Sequence, residues 1–268
     1  MSWQTLATQP DPRYGAAVLH VTLNRPEVRN AMSLAMVQEL RELLAQAEGD
    51  GQTRVLVLRG AGGHFCAGAD LKDMAGARMQ LAARPSAIAD INAAFGELCV
   101  AYAGTGLATV ALLEGTVMGG GFGLACVVDV AIAAPGTSFR LPETSLGVVP
   151  AQIGPFLVER MGYSQAKRLA VTGGRLDAAQ ALALRLVHEA PPAEQVEAVL
   201  AQTLHDILQC APGAIAATKK LLARARVHEP ASLVHEAAEI FSAAALGDEG
   251  KEGTMAFLQK RKASWVPQ

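Results

Sequence analysis

The sequence predicts an α/β core followed by a helical C-terminal region, and three observations carry that prediction. Val/Leu-rich runs of strand length alternate with a helical stretch in the first half of the chain. The strand signal thins out from about residue 150 onward. Hydrophobic residues make up 51% of the chain with only 4% aromatic, so the core is built mainly from Ala, Val and Leu, as in α/β proteins with close helix packing. A chain of 268 residues is long enough for one large domain, or for one domain with a small appendage. The division is expected near residue 200, with 1–200 as the α/β core and 201–268 as the helical region.

The elements follow in order. "AAVLHVTL" (16–23) and "TRVLVLRG" (53–60) are strand-length runs. Between them "LAMVQELRELLAQAEG" (34–49) sets Leu34, Met36, Val37, Leu40, Leu43 and Leu44 on a helical period, with Ser33 as N-cap. This is β–α–β order, which calls for a parallel or mixed sheet covered by helices. "TVALLEGTVM" (109–118) and "VVDVAIAAPG" (127–136) read as further buried strands separated by a glycine run, and "KDMAGARMQLAARPSAIAD" (72–90) is poorly patterned and reads as a mobile flap. Beyond residue 190 four helical stretches are punctuated by Pro192, Pro212, Pro230 and Gly247.

Several function classes find no support. A net charge of −2 gives no electrostatic reason to expect a nucleic-acid or anionic-membrane partner. Cys66, Cys99, Cys126 and Cys210 are scattered without metal or redox spacing and read as buried thiols in a reducing compartment. The first residues lack the pattern of a secretory or transit segment, and no apolar run reaches the roughly 20 residues of a membrane span, so a cytoplasmic protein is expected. The dinucleotide, P-loop, nucleophile-elbow and zinc-protease signatures are missing, and His188, His228 and His235 read as surface or helix-end residues. No metal is implied.

Two glycine-rich turns stand out. In "TVMGGGFGLACVVDV" (116–130), Gly119, Gly120 and Gly121 lie between a strand and an apolar helix, where bare backbone N–H groups and the helix dipole favour negative charge; a tight, closely packed turn is the alternative. "RGAGGHFCAGADLKDM" (59–74) leaves its strand through Gly60, Gly62 and Gly63 and makes a second small-residue turn at Cys66–Ala69. Two such turns are able to polarise one carbonyl oxygen from two sides.

"LNRPEVRNAMS" (23–33), "HFCAGADLKDM" (64–74), "EGTVMGGGFGLACVVDVAIA" (114–133), "FRLPETSLGVVP" (139–150) and "FLQKRK" (257–262) resemble, in order and spacing, the enoyl-CoA hydratase/isomerase (crotonase) family across nearly the whole chain. The resemblance implies a spiral of ββα turns with a C-terminal helical part that supports homotrimers or dimers of trimers. It also implies acyl-CoA thioester substrates and no cofactor, CoA being part of the substrate. Carried over, the oxyanion hole falls on the backbone N–H groups of Ala69 and Gly120. The loop Arg25–Asn30 with Arg29, together with Ala67, Gly68, Asp70, Leu71 and Gly119, falls on the surface that binds substrate and CoA. Phe257 and Lys260 match positions that contact the adenine and phosphates of CoA, commonly from a neighbouring subunit.

The best-known hydratases of that family hold water between two glutamates. Here the second is Glu143, and the first position is Gly123. Flanked by Leu141, Pro142 and Leu146, Glu143 is expected to be desolvated, which raises a carboxyl pKa. One carboxyl can hydrate an alkene or shuttle a proton in a Δ3,Δ2-enoyl-CoA isomerase, and Gly123 favours neither. A non-catalytic acyl-CoA-binding protein is the remaining alternative. "PAQIGPF" (150–156) stands where P-G-A-G-G-T is usual and resembles the branch acting on 3-methylglutaconyl- and isohexenylglutaconyl-CoA. Hydration of a branched or glutaconyl-type 2-enoyl-CoA is therefore the leading expectation, with Arg78, Arg84 and Arg140 as cations for a second substrate carboxylate.

Overall fold

Val/Leu runs with no polar alternation need cover on both faces, and the fold supplies it. The structure is a computed structural model, described here for residues 3–267. The chain begins with the antiparallel pair β1 (Leu6–Asp11) and β2 (Gly15–Leu23), then α1 (Leu34–Gly49) and β3 (Val55–Gly60). After α2 (Leu71–Gln80) and α3 (Ala87–Gly104) come β4 (Ala108–Leu113), β5 (Thr116–Met118), α4 (Gly120–Val127), β6 (Val130–Ala133) and β7 (Ser138–Arg140). Then follow α5 (Gly154–Met161), α6 (Tyr163–Thr172), β8 (Arg175–Asp177) and α7 (Ala178–Ala183). The helices α8 (Val196–Gln209), α9 (Pro212–Ala225), α10 (Pro230–Leu246) and α11 (Asp248–Leu258) complete the described elements.

Five strands form one sheet in the order β1-β2-β3-β4-β6, parallel from β2 onward, and a small second sheet runs β5-β7-β8. Alternation along each strand splits the core in two. Leu56 and Leu58 of β3, with Ala111 and Leu113 of β4, face the cluster that holds α1, α3 and α4. Val55 and Val57, with Val110 and Leu112, face the other side, where Val196, Leu200, Leu204 and Leu208 of α8 form one stripe. The expected boundary at 200 therefore falls within a helix that covers the sheet.

Ser33 caps α1 as expected, accepting from the Met36 N–H at 3.2 Å. The expected single strand at 109–118 is two strands in different sheets, because the chain turns at Gly115 (φ +56°), where any Cβ would overlap the Gly63 carbonyl. The stretch read as a flap, 72–90, is mostly helical: α2 and the start of α3, joined by a turn over 81–86. Its signal was weak because α2 buries only Ala77, and its stability comes instead from polar caps. Asp70 accepts from the Lys72 N–H at 2.8 Å, and Asp73 reaches across to the Leu34 N–H of α1 at 2.6 Å.

Candidate active site

The two glycine-rich turns lie side by side. Beyond β3 the chain runs along β5, with Cys66 bridging Val117 through Cys66 N–H to Thr116 O (3.0 Å) and Met118 N–H to Cys66 O (2.9 Å). Three residues on, Met32 bridges Ala69: Met32 N–H donates to Gly68 O at 2.7 Å and Asp70 N–H to Met32 O at 3.0 Å. A residue held in this way turns its own N–H to the other side, so the Ala69 N–H faces away from Met32. Gly120 opens α4, and a first helical N–H has no intrahelical partner while it sits at the positive end of the dipole. Gly68 (φ +99°) and Gly119 (φ +46°) make this possible in conformations L side chains avoid. A Cβ on Gly119 would lie 3.4 Å from Gly68 Cα and 4.0 Å from Ala69 N.

Glu143 enters the same place from the second sheet. It opens the short 3-10 turn Glu143–Leu146 after β7, and β7 is aligned on β5 with Arg140 opposite Met118. The Gly119 N–H donates to Arg140 O at 3.3 Å, tying that strand to the glycine turn. The Cβ position of Gly119 lies 3.2 Å from Glu143 Oε1, so the carboxyl group rests on the glycine run next to the Ala69 N–H. Glu143 Oε2 is buried without a hydrogen-bond partner. Burial pushes the carboxyl above its ordinary pKa of 4.5, against a smaller opposing pull from a backbone hydrogen bond. Backbone N–H donors that converge on one point can stabilise an oxygen anion, and a carboxyl with a raised pKa is better suited to give up and take back a proton than an ordinary one.

Gly123 lies three residues beyond Gly120, on the same side of α4. Its missing side chain is not an open space: a Cβ there would overlap Ile153 Cγ2 and lie 3.1 Å from Phe95 Cζ. The same Phe95 ring lies 3.4 Å from the Cβ position of Gly120. Gln152, next to Ile153, seats its carboxamide against Gly96 of α3 and donates from Nε2 to Asn92 Oδ1 at 2.8 Å. The segment "AQIG" is thus clasped between α3 and α4 by two glycines. Where a second carboxyl would stand, the wall is apolar.

A family profile described as Enoyl-CoA hydratase/isomerase matches residues 13–268. The chain belongs to the enoyl-CoA hydratase/isomerase family. It is similar to the crystal structure of an enoyl-CoA hydratase/isomerase from Marinobacter aquaeolei (50% identity, TM-score 0.93, covering 98% of this chain and 99% of that one). Pseudomonas aeruginosa AtuE is also similar (53% identity, TM-score 0.92, covering 98% and 100%). Among named relatives, the 2,3-dehydroadipyl-CoA hydratase of Escherichia coli is 31% identical over 246 residues, 91% of this chain and 93% of the relative. The α/β core with a helical C-terminal region is thus the crotonase fold expected from the sequence.

Within that fold the other expected site residues divide into three groups. Arg25 is held in place: Nη1 pairs with Asp70 Oδ2 at 2.7 Å and donates to Ala31 O at 2.7 Å, while fully buried Asn30 accepts from the Arg25 N–H at 2.8 Å. Burial raises Asp70, but Arg25 and the α2 cap outweigh it and hold its carboxyl below the usual range. Both groups build the turn. Arg29 (φ +49°) accepts from the Ala67 N–H through its carbonyl at 3.0 Å, and its exposed side chain makes no ion pair among the described residues. Leu71 is exposed at the start of α2.

Phe257 and Lys260 lie elsewhere. Phe257 is 84% exposed near the end of α11. The α11 segment packs on α10, and the following Trp265 accepts through its carbonyl from Arg54, at the start of β3. The Ala69–Glu143 cluster lies beyond the opposite end of β3, so these two residues sit apart from the cluster of their own chain. Cys66 packs under Gly121, and burial pushes its thiol up to about 11, so it is a protonated packing group at neutral pH. Among the described residues no group of three His, Cys, Asp or Glu is placed to hold a metal, and no helix is long and apolar enough to cross a membrane. Phe95 and Ile153, which pack over Gly120 and Gly123, were not singled out from the sequence: they bear no chemistry there, and only Ile153 lies in the unusual "PAQIGPF" segment.

Proposed function

We propose that the chain adds water across the 2,3 double bond of an enoyl-CoA thioester. The observation that carries this is the buried Glu143 carboxyl, its Oε2 without a partner, resting against the turn that carries Gly119, and with it Ala69 and Gly120. The ionised carboxylate takes a proton from water as the oxygen adds at C3. The two N–H groups hold the charge that moves to the thioester oxygen, each donor contributing about 3 kcal/mol. Glu143 then returns the proton to C2, and atoms and charge balance without a cofactor.

The "PAQIGPF" segment supports a branched or glutaconyl-type acyl group, and the relative named for dehydroadipyl-CoA acts on an acyl group that is dicarboxylic by its chemical name. Of the three candidate arginines, Arg84 is taken by Asp90 (2.5 Å), whereas exposed Arg78 and half-buried Arg140, three residues before Glu143, make no ion pair among the described residues. Closeness in sequence to Glu143 favours Arg140 as the cation for a second carboxylate. Lys260 and Phe257 would serve CoA from a neighbouring subunit of a homotrimer or dimer of trimers. Incubation with 3-methylglutaconyl-CoA and crotonyl-CoA in ¹⁸O-water tests the proposal: mass gain is expected, and double-bond migration without mass gain overturns it.

A Δ3,Δ2-enoyl-CoA isomerase is the second reading, favoured by the apolar wall at Gly123, because a shuttle needs no ordered water opposite Glu143. A 3-enoyl-CoA substrate separates the two. Acyl-CoA binding without turnover by the unaltered protein would instead indicate a non-catalytic binding role.

A further inference from the structure

We propose that Phe95 and Ile153 form the wall that decides which acyl group, and which of the two proton-transfer outcomes, the Glu143 site accepts. The inference rests on the function proposed above. Gly120 supplies an oxyanion donor and Gly123 lies one turn further along the same side of α4, and the single ring of Phe95 covers both positions. An acyl group whose carbonyl oxygen meets the Gly120 N–H has to leave the hole past that ring. Ile153, 3% exposed, closes the next position so tightly that no side chain fits at 123. The absent carboxyl is therefore a replacement by hydrocarbon and not a vacancy.

Gln152 supports this arrangement, since it pins the Ile153 backbone against α3 through Gly96 and Asn92. The wall is apolar and built from α3 and the loop before α5, which suits a hydrocarbon branch or tail and leaves no polar partner for a second water. With Ile153 trimmed, room for larger acyl groups and for water beside Gly123 should appear together.

The test uses Ile153→Ala, the milder Ile153→Val and Phe95→Leu. Substrates are crotonyl-, 3-methylcrotonyl- and 2-decenoyl-CoA, with ¹⁸O incorporation and double-bond position read by mass spectrometry. The expected result is a change of roughly 10-fold or more in the ratio of kcat/KM between small and large acyl groups, with the larger gaining, and a higher hydrated fraction in Ile153→Ala. Ile153→Val keeps the test readable where Ile153→Ala fails to fold. If Glu143→Gln abolishes turnover while the acyl ranking and the hydrated fraction stay within twofold in all wall variants, the wall proposal fails and the proposed function stands. If the unaltered protein turns over neither these thioesters nor 3-methylglutaconyl-CoA, the proposed function fails. Calorimetric binding of butyryl-, isovaleryl- and decanoyl-CoA to the same variants then decides the wall by the same change of ranking.

Discussion

Glu143 holds its carboxyl where ionisation is costly, and the sign of that cost can be worked out. Its folded pKa lies above 4.5, so the folded chain binds the extra proton, and stability falls as pH rises through the interval from 4.5 to the raised value. Glu143→Gln is therefore expected to raise the melting temperature at neutral pH, with a gain that disappears below pH 4.5. The same substitution should lower kcat by about 10²- to 10⁴-fold, as removal of a general acid/base does. A melting curve and a rate, each measured at two pH values, check both; an unchanged kcat removes Glu143 from the mechanism. The glycines differ among themselves. A Cβ on Gly121 would lie 2.7 Å from Cys66 Cβ and 2.9 Å from its carbonyl, whereas one on Gly120 would meet only the Phe95 ring and Met32 at 3.4 Å and beyond. Gly121→Ala is expected to cost about 1–3 kcal/mol in urea unfolding and Gly120→Ala under about 1 kcal/mol. Gly120→Ala also keeps its N–H and should keep most activity.

Helix α4 is only eight residues long, and its position depends on what holds its far end. Arg160 of α5 donates from Nη2 to Ala125 O at 3.0 Å and to Val128 O at 2.5 Å, so a cation satisfies the C-terminal carbonyls of the helix whose N-terminus carries Gly120. Arg160→Met is expected to cost about 1.5–3 kcal/mol, the range for hydrogen bonds from a charged group, and to lower kcat through loosening of α4. Chemical denaturation and rates on the same preparation check it. His188 adds a pH dependence to this corner. Its Nδ1 accepts from the Ala131 N–H at 2.9 Å and its Nε2 lies 3.1 Å from Arg160, so protonating Nδ1 would set two donors against each other. Partial burial and the Arg160 charge lower its pKa from 6.5, with the Asp129 charge opposing. The unfolded chain then binds the extra proton, and stability present above pH 6.5 is lost as pH falls below it. Comparing unfolding midpoints at pH 7.5 and 5.5 in the unaltered chain and in His188→Asn should show a smaller pH dependence in the variant.

The helices α9, α10 and α11 carry an apolar surface that a single chain leaves exposed: Leu222, Val227, Val234, Phe241, Leu246 and Phe257 are each more than half exposed. Such a patch predicts association, and light scattering on eluted protein should give a trimer or a dimer of trimers. A monomeric species that retains full activity would contradict both the assembly and the neighbouring-subunit role of Phe257. Within that assembly Lys260→Ala should raise KM for the CoA ester several-fold with little change in kcat, as expected for uniform binding. Much of this was legible in the sequence, because hydrophobic period and turn chemistry are local. Periodicity and Ser33 place α1, the Val/Leu runs place β2, β3 and β6, and the family resemblance, not local pattern, points to Gly120 and Glu143. The short strands β7 and β8 were not legible, since three residues carry no period, and α2 was not because it buries a single residue and depends on caps from Asp70 and across to α1. Nor could the sequence say what fills the place beside Gly123. Residues 95, 123 and 153 come from α3, α4 and the loop before α5, and their contact exists only once the two sheets bring those elements together. The sequence by itself determined the fold and the family, and its resemblance points to Ala69, Gly120 and Glu143; the tertiary structure alone decided that Phe95 and Ile153 pack where a side chain at 123 would stand.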